Sequence, residues 1–279
     1  MEINTLFLSG GGVHCLSFLG SLKVLIEKNI IQENLTNIKN IIGVSGGVLH
    51  IIPLILGYNI DSTIKIFMNY EYTNLVDYND LNINQLLTEF GLYKNDFIDK
   101  IIVILLKNKQ LPTNITLKQL YDKIPINLVI KTTNISTSQI CYLNHKNTPD
   151  IPLITAIKMT TCFPLFFEPI KYNDHLYVDG GLCGNFPLEY KRKIKNCKYI
   201  GFKIVSTQEK YNFKDIFSYL SSLYNIAWSP YDHTKKGNII DIQCSGTGMD
   251  FNITDEIKND LIKKGKESIN NLTIFNKSG

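Results

Sequence analysis

The chain has 279 residues, a net charge of +4, 44% hydrophobic residues and 19% charged ones. A chain of that length buries a sizeable core, and that balance excludes both a disordered polymer and a membrane-embedded one. So mild a positive charge is not the footprint of a nucleic-acid binder, although it suits an anionic membrane surface.

Taken in chain order, residues 3–8 are a buried-strand candidate that runs into "SGGG". A helix is predicted over 16–27, with apolar residues at Leu16, Leu19, Leu22 and Leu25. Residues 40–44 form a second short strand, and 46–56 read as a helix in which Pro53 is discordant. From 60 to 124 the text is mostly helical, with polar breaks at "NLVDYNDLN" and "NKQLPTNIT", and this segment is expected to cap a sheet. Strands return at 128–134 and 139–143, a helix at 152–160, and a strand from 177 that enters Asp179-Gly180-Gly181. A strand at 199–205, a helix at 213–228 and a capped amphipathic helix at 254–272 complete the pass.

Strands separated by helices predict an α/β fold, three layers deep, with a mostly parallel central sheet covered on both faces. No repeat or linker interrupts the text. The expectation is one domain over 1–279, with a core at about 5–205, a helical cap at about 60–124 and a C-terminal helical region at about 213–272. Cys15, Cys141, Cys162, Cys183, Cys197 and Cys244 contain no C-x-x-C pair. Neither a disulfide framework nor a zinc site is expected, and no cofactor is called for. The longest apolar stretches fall short of the roughly 18 residues that span a bilayer. The N-terminus lacks the marks of a signal peptide, so the expected location is intracellular, in the cytoplasm.

Three readings compete for Gly10, Gly11 and Gly12. The first is a tight turn between strand and helix. The second is a phosphate cradle, but no Gly-Lys-Ser/Thr follows, and Cys15 stands where a dinucleotide fingerprint needs its third glycine. The third is an oxyanion hole, in which backbone N–H groups converge on the negative charge that develops during acyl transfer.

An oxyanion hole implies a nucleophile. Gly43-Val44-Ser45-Gly46-Gly47 matches G-x-S-x-G and lies between an apolar strand and a helix, where a nucleophile elbow belongs. The competing reading is a serine in a glycine-rich turn. Of the five histidines (His14, His50, His145, His175 and His233), the order Ser45, Asp179, His233 would suit a Ser-Asp-His hydrolase. The other candidate base is Asp179 itself, which ends an apolar strand at the carboxyl edge expected to carry Ser45. A carboxylate of ordinary pKa, about 3.9, is a weak base for a hydroxyl. Partial burial would raise that value, and an oxyanion hole would share the work.

"SGGGVHCLSFLGSLKVLIE", "GVSGGVLHIIPLILGY" and "LYVDGGLCGNFP", in this order, resemble the patatin-like phospholipase family. The resemblance runs from about residue 6 to 205 and is weak at 61–110. It implies a lipid acyl hydrolase, acting on phospholipid or related lipid esters through a Ser–Asp dyad and without a catalytic metal. Ser45 would be the nucleophile and Asp179 the general base. Gly10, Gly11 and Gly12 would supply oxyanion-hole amides, with Gly43, Gly47, Gly180 and Gly181 as supporting glycines. Asn185 and Pro187 would support the loop after Asp179. The family usually has Gly-Gly-Gly-x-Arg/Lys-Gly, whereas here His14 replaces the basic residue and Cys15 brings a β-carbon to the glycine position. Two alternatives stand beside the leading one: a catalytically weak lipid-binding or scaffold protein on the same fold, and the triad hydrolase using His233. For residues 162–170 and 97–106 two readings stand: an acyl-chain groove lined by some of them, and ordinary core for most of them, with scattered lysines holding the protein peripherally on anionic bilayers.

Overall fold

In the computed structural model, residues 2–75, 83–207, 219, 222–223 and 238–269 are described. Their centre is an eight-stranded sheet. Strands β1 (Thr5–Leu8), β2 (Asn40–Val44), β4 (Asn127–Asn134), β9 (Tyr199–Thr207) and β10 (Ile239–Ser245) lie parallel, in the order β10-β9-β1-β2-β4. Beyond β4 the sheet turns antiparallel, with β5 (Gln139–Leu143) and β8 (His175–Asp179) both pairing β4, and β7 (Ile170–Tyr172) pairing β8. Two short strands, β3 (Gly91–Tyr93) and β6 (Leu165–Phe167), form a separate parallel pair.

The central strands β1 and β2 and the first half of β4 are apolar on both faces, as double coverage requires. Alternate residues face opposite sides. Leu6, Leu8, Ile41, Leu128 and Ile130 enter the main core, while Phe7, Ile42 and Val129 meet Phe186, Tyr190 and Tyr199 on the other face. The main core lies under α1 (Leu16–Glu27), α2 (Gly46–Ile55), α3 (Ile60–Met68), α5 (Phe97–Asn108), α7 (Leu153–Thr161) and α8 (Asp255–Ser268). Helices α4 (Ile83–Glu89) and α6 (Leu117–Lys123) are short. Among the described residues, the second face is covered by 3-10 turns such as Leu188–Lys193 rather than by α-helices.

The mostly parallel sheet and the mixed α/β class are as the sequence predicts. Local chemistry explains most boundaries. Asn59 caps α3 by accepting from the Ser62 N–H, Thr116 and Gln119 form a reciprocal capping box on α6, and Thr254 caps α8. Helix α2 continues through Pro53, which stands in its last turn, where only the final residues lie beyond the missing N–H. Helix α8 packs along α1, and the Ser21 hydroxyl donates to the Gly265 carbonyl at 2.7 Å.

Several expectations need correction. The 60–124 segment is mostly helical as expected, but β3 interrupts it and pairs with β6, in a stretch to which the sequence reading assigns no element. Strand β10 escaped the sequence reading, although "IIDIQCS" alternates buried and exposed residues as an edge strand does. Of the helix expected at 213–228, only residues 219, 222 and 223 are described, and these are helical; His233 lies outside the described residues. None of the six cysteines is in a disulfide. Among the described residues, no helix is long and apolar enough to cross a membrane.

Candidate active site

Strands β1 and β2 run parallel with Leu8 opposite Gly43, so the segments that leave their carboxyl ends emerge side by side. The first is the glycine loop. The second is Ser45, which joins β2 directly to α2. Asp179 arrives differently from expectation. Strand β4 projects past the level of Val44, and β8 pairs antiparallel with that projection. On β4, Lys131 pairs with Val44 and the next residue, Thr132, pairs with Asp179. The carboxyl end of β8 therefore meets the sheet edge from outside, level with Ser45 on the far flank of β4.

This register brings the two side chains into contact. The Ser45 hydroxyl donates to Asp179 Oδ2 at 2.5 Å. The other carboxylate oxygen accepts the Gly181 N–H at 2.7 Å. Burial pushes the Asp179 carboxyl up to about 7, against the opposing pull of the Ser45 hydroxyl, the Gly181 N–H and the charge of Lys131. An aspartate in this setting is a far better proton acceptor near neutral pH than an ordinary one.

Ser45 itself is strained, with φ 51° and ψ −132°. A side-chain-bearing residue held there costs on the order of 1–3 kcal/mol. Two buried groups hold it. The Ser45 N–H donates to Thr160 Oγ1 at 2.9 Å, and the Thr160 hydroxyl donates onward to the Lys131 carbonyl at 2.5 Å. The Lys131 ammonium, 1% exposed, donates to the carbonyls of Cys183 and Gly184 and to Glu189 Oε1, all within 2.9 Å. Lys131 on β4 thus links Ser45, through Thr160, to the loop that follows Asp179. Neither Thr160 nor Lys131 was singled out in the sequence. The legible signal was Lys131, a lone charge inside the otherwise uncharged strand "NLVIKTTN".

The glycine loop packs against Ser45 and the first turn of α2. Gly12 has φ 53°, and a β-carbon there would lie 2.0 Å from the Gly248 carbonyl oxygen. A β-carbon on Gly46 would lie 2.4 Å from the Gly12 oxygen, so the two segments touch backbone to backbone. The expectation for Gly10 is corrected: its N–H donates to the Asn185 carbonyl at 3.0 Å, while the Asn185 side-chain amide donates to the Gly10 carbonyl at 3.1 Å. Its amide is spent on holding the loop in place. Among the described residues, the N–H groups of Gly11 and Gly12 have no hydrogen-bond partner. Gly43 is the penultimate residue of β2, Gly47 packs on the Ser9 carbonyl from α2, and Gly180 and Gly181 begin the 3-10 turn after Asp179.

The two departures in this loop behave differently. Cys15 has φ −63° and ψ −12°, ordinary helical angles, so no glycine is needed there. Its thiol is fully buried and points to the Ser9 carbonyl at 3.6 Å. His14 faces the site. It is 8% exposed, it lines the same cavity as Ser45 and Asp179, and burial together with Lys264 pulls its imidazole down to about 4, so it is neutral near pH 7.

Two cavities meet at Ser45, Gly12 and Met249. One, of about 100 Å³, is the more polar of the two: His14, Asp179, Asn185, Ser206 and Thr247 line it together with Phe163, Ile204 and Met249. The other is apolar, walled by Leu49, Phe67, Phe97, Ile101, Phe167 and Phe251. Phe97, Ile101 and Phe167 come from the segments expected to line an acyl groove, and Phe163 reaches the polar cavity instead. Ile98, Ile102, Leu105, Leu106 and Phe166 are core. His50 and Tyr72 also touch the apolar cavity, but as a satisfied pair. The Gly46 carbonyl can only accept, so His50 Nδ1 carries the proton, 2.7 Å away, and Nε2 accepts from the Tyr72 hydroxyl at 3.2 Å. Among the described residues, no three His, Cys, Asp or Glu side chains gather as metal ligands would.

Comparison with known proteins gives one consistent result. A family model described as "Patatin-like phospholipase" matches residues 6–190. The chain is 29% identical over 197 residues to the probable lipid hydrolase 463L of Invertebrate iridescent virus 6, covering 70% of this chain and 65% of that one. It is 32% identical over 187 residues to protein R571 of Acanthamoeba polyphaga mimivirus, covering 67% and 61%. The aligned stretch thus spans less than two thirds of either relative. Among solved structures, VipD from Legionella pneumophila superposes with a TM-score of 0.71 at 16% identity, covering 96% of this chain and 66% of VipD, a likeness of fold.

Proposed function

This chain belongs to the patatin-like phospholipase family, and from that premise we propose that it is a serine acyl hydrolase that releases fatty acid from a lipid ester. The observation that carries the reading is the 2.5 Å contact between the Ser45 hydroxyl and Asp179, placed where an apolar and a polar cavity meet. In this reading the ester carbonyl sits over Ser45, its acyl chain enters the apolar cavity, and its alcohol portion occupies the polar one.

Ser45 Oγ attacks the carbonyl carbon and its proton passes to ionised Asp179. The N–H groups of Gly11 and Gly12, free of other partners, are assigned to the negative oxygen of the tetrahedral intermediate. The intermediate collapses, the carbon–oxygen bond to the alcohol breaks, and Asp179 returns the proton to the departing oxygen. Water then attacks the acyl-enzyme, giving its proton to Asp179. When that intermediate collapses, the fatty acid leaves and the proton returns to Ser45. Thr160 and Lys131 act as positioning residues for Ser45 and for the loop behind Asp179.

The lipid surface is assigned to the β3–β6 side of the molecule. Leu87, Phe90 and Leu165 are 70%, 58% and 45% exposed. Phe90 and Leu165 also hold positive φ, of 62° and 67°, which bulky residues rarely adopt. Phe167, two residues from Leu165, walls the apolar cavity. Leu165→Asp is expected to weaken liposome binding and to spare turnover of a soluble ester.

The primary test is turnover of p-nitrophenyl butyrate by wild type and Ser45→Ala. The expected loss is on the order of 10³-fold or more. Turnover unaffected by the substitution would remove Ser45 from the chemistry.

A further inference from the structure

We propose that the cavity on the His14 side of Ser45 selects an uncharged, hydroxyl-bearing alcohol, of which glycerol is the simplest lipid example, over a phosphorylated one. The inference rests on the acyl-hydrolase reading and narrows its substrate class.

The composition of the cavity wall is the first ground. No Lys or Arg stands among the described residues that line it, and its charged side chain is the carboxyl of Asp179. A phosphate is commonly held in a protein by guanidinium or ammonium groups, and one placed here would lie beside a carboxylate with no cation in the cavity wall, the nearby Lys264 being paired with Asp260. Among the residues lining the cavity, the nearest approach to a phosphate site is the backbone of Gly11 and Gly12, whose amides the reaction assigns to the ester oxygen.

The second ground is His14. It is 8% exposed and lines the cavity, yet neither ring nitrogen has a partner among the described residues. Ring nitrogens without a protein partner that are open to a cavity bond to water there, and a ligand hydroxyl that takes the water's place keeps those bonds. Burial and the neighbouring Lys264, itself paired with Asp260 at 2.8 Å, keep the ring neutral, so it offers one donor and one acceptor rather than a charge. That pair of functions matches a hydroxyl, which also donates and accepts. Asn185, Ser206 and Thr247 add neutral polar groups around the same space, whose volume of about 100 Å³ suits a small polyol.

The test compares 1-oleoylglycerol with 1-oleoyl lysophosphatidate, which share an acyl chain and differ by a phosphate. The wild type is expected to favour the glycerol ester by roughly tenfold or more in kcat/KM, the discrimination a site built for hydroxyl pairing supports. His14→Ala should lower kcat/KM for the glycerol ester about tenfold and bring the two substrates together. His14→Gln, which keeps a donor and an acceptor, should restore most of the preference, and His14→Arg should shift it toward lysophosphatidate. Equal turnover of both esters by wild type, or His14 variants that slow both alike, would overturn the proposal. Binding of the same two lipids to Ser45→Ala, followed by calorimetry, separates the two levels of the argument. Absence of any Ser45-dependent turnover would defeat the hydrolase reading alone. Tighter binding of the glycerol ester would still support the selectivity, and tighter binding of lysophosphatidate would defeat it.

Discussion

The two cavities that meet at Ser45 are built on opposite principles. The apolar one is walled by aromatic and aliphatic side chains from α2, α3, α5 and β6, and two of the polar side chains it meets, His50 and Tyr72, hydrogen-bond to each other. Such a surface offers a hydrocarbon chain contact without direction, and its preference is graded by length and volume. The other cavity is walled by the glycine turn, by Ile204 and Ser206 of β9, and by the segments after β8 and β10, and leaves hydrogen-bonding groups of His14 open. Its discrimination is directional and depends on what is left unpaired. One site thus reads the two halves of an ester by two kinds of physics, and Ser45 and Asp179 stand on the line between them.

The largest effect that would break this comparison comes from the groups shared by both sides. Thr160→Val leaves the Ser45 N–H without its acceptor in a strained turn. Loss of that buried bond is expected to cost about 1–3 kcal/mol, seen as a kcat reduction of roughly 10–100-fold on short and long esters alike. An effect on long chains only would place Thr160 in substrate binding instead.

Next in size, Ile101→Trp should fill the apolar cavity. The expectation is a drop of about tenfold in kcat/KM for long acyl chains, with acetyl and butyryl esters little changed. A uniform loss across chain lengths would show that the apolar wall does not receive the chain.

The pH profile sharpens the comparison at its centre. Asp179 must be ionised to accept a proton, and burial holds it at about 7. Below that value kcat/KM should fall about tenfold per unit, with a plateau above it. The stability consequence has the opposite sign. Between the unfolded value of 3.8 and about 7 the folded protein keeps a proton that the unfolded chain has lost. Stability is therefore greatest below that window and declines as pH rises through it. Asp179→Asn is expected to be more stable than wild type at pH 8, by on the order of 2–4 kcal/mol, and nearly equal to it at pH 4, measured by urea denaturation. The smallest effect is expected from Ser45→Gly, which should gain about 1 kcal/mol by relieving φ 51°.

Much of the site is legible in the sequence because its demands are local. A strand, a glycine turn and a helix suffice to place Gly12, and "GVSGG" between an apolar strand and a helix suffices to place Ser45. The edge shared by these two follows from parallel pairing. The rest is set by contacts distant in sequence. Asp179 comes from an antiparallel strand that meets the sheet edge from outside, an arrangement fixed by the overhang of β4 beyond β2 and not by anything near Asp179. Thr160 looks like any helical threonine until α7 lies beside Ser45. The loss of the Gly10 amide depends on Asn185, 175 residues away. The short strands β3 and β6 carry too few residues for a period-2 pattern to show.

The central claim is that Asp179, not a histidine, takes the proton from Ser45. Its most direct measurement is kcat/KM on one soluble ester for Asp179→Asn and His233→Ala side by side. The account predicts a loss on the order of 10³-fold or more in the first and a change within about threefold in the second. Survival of activity in Asp179→Asn together with its loss in His233→Ala would contradict it.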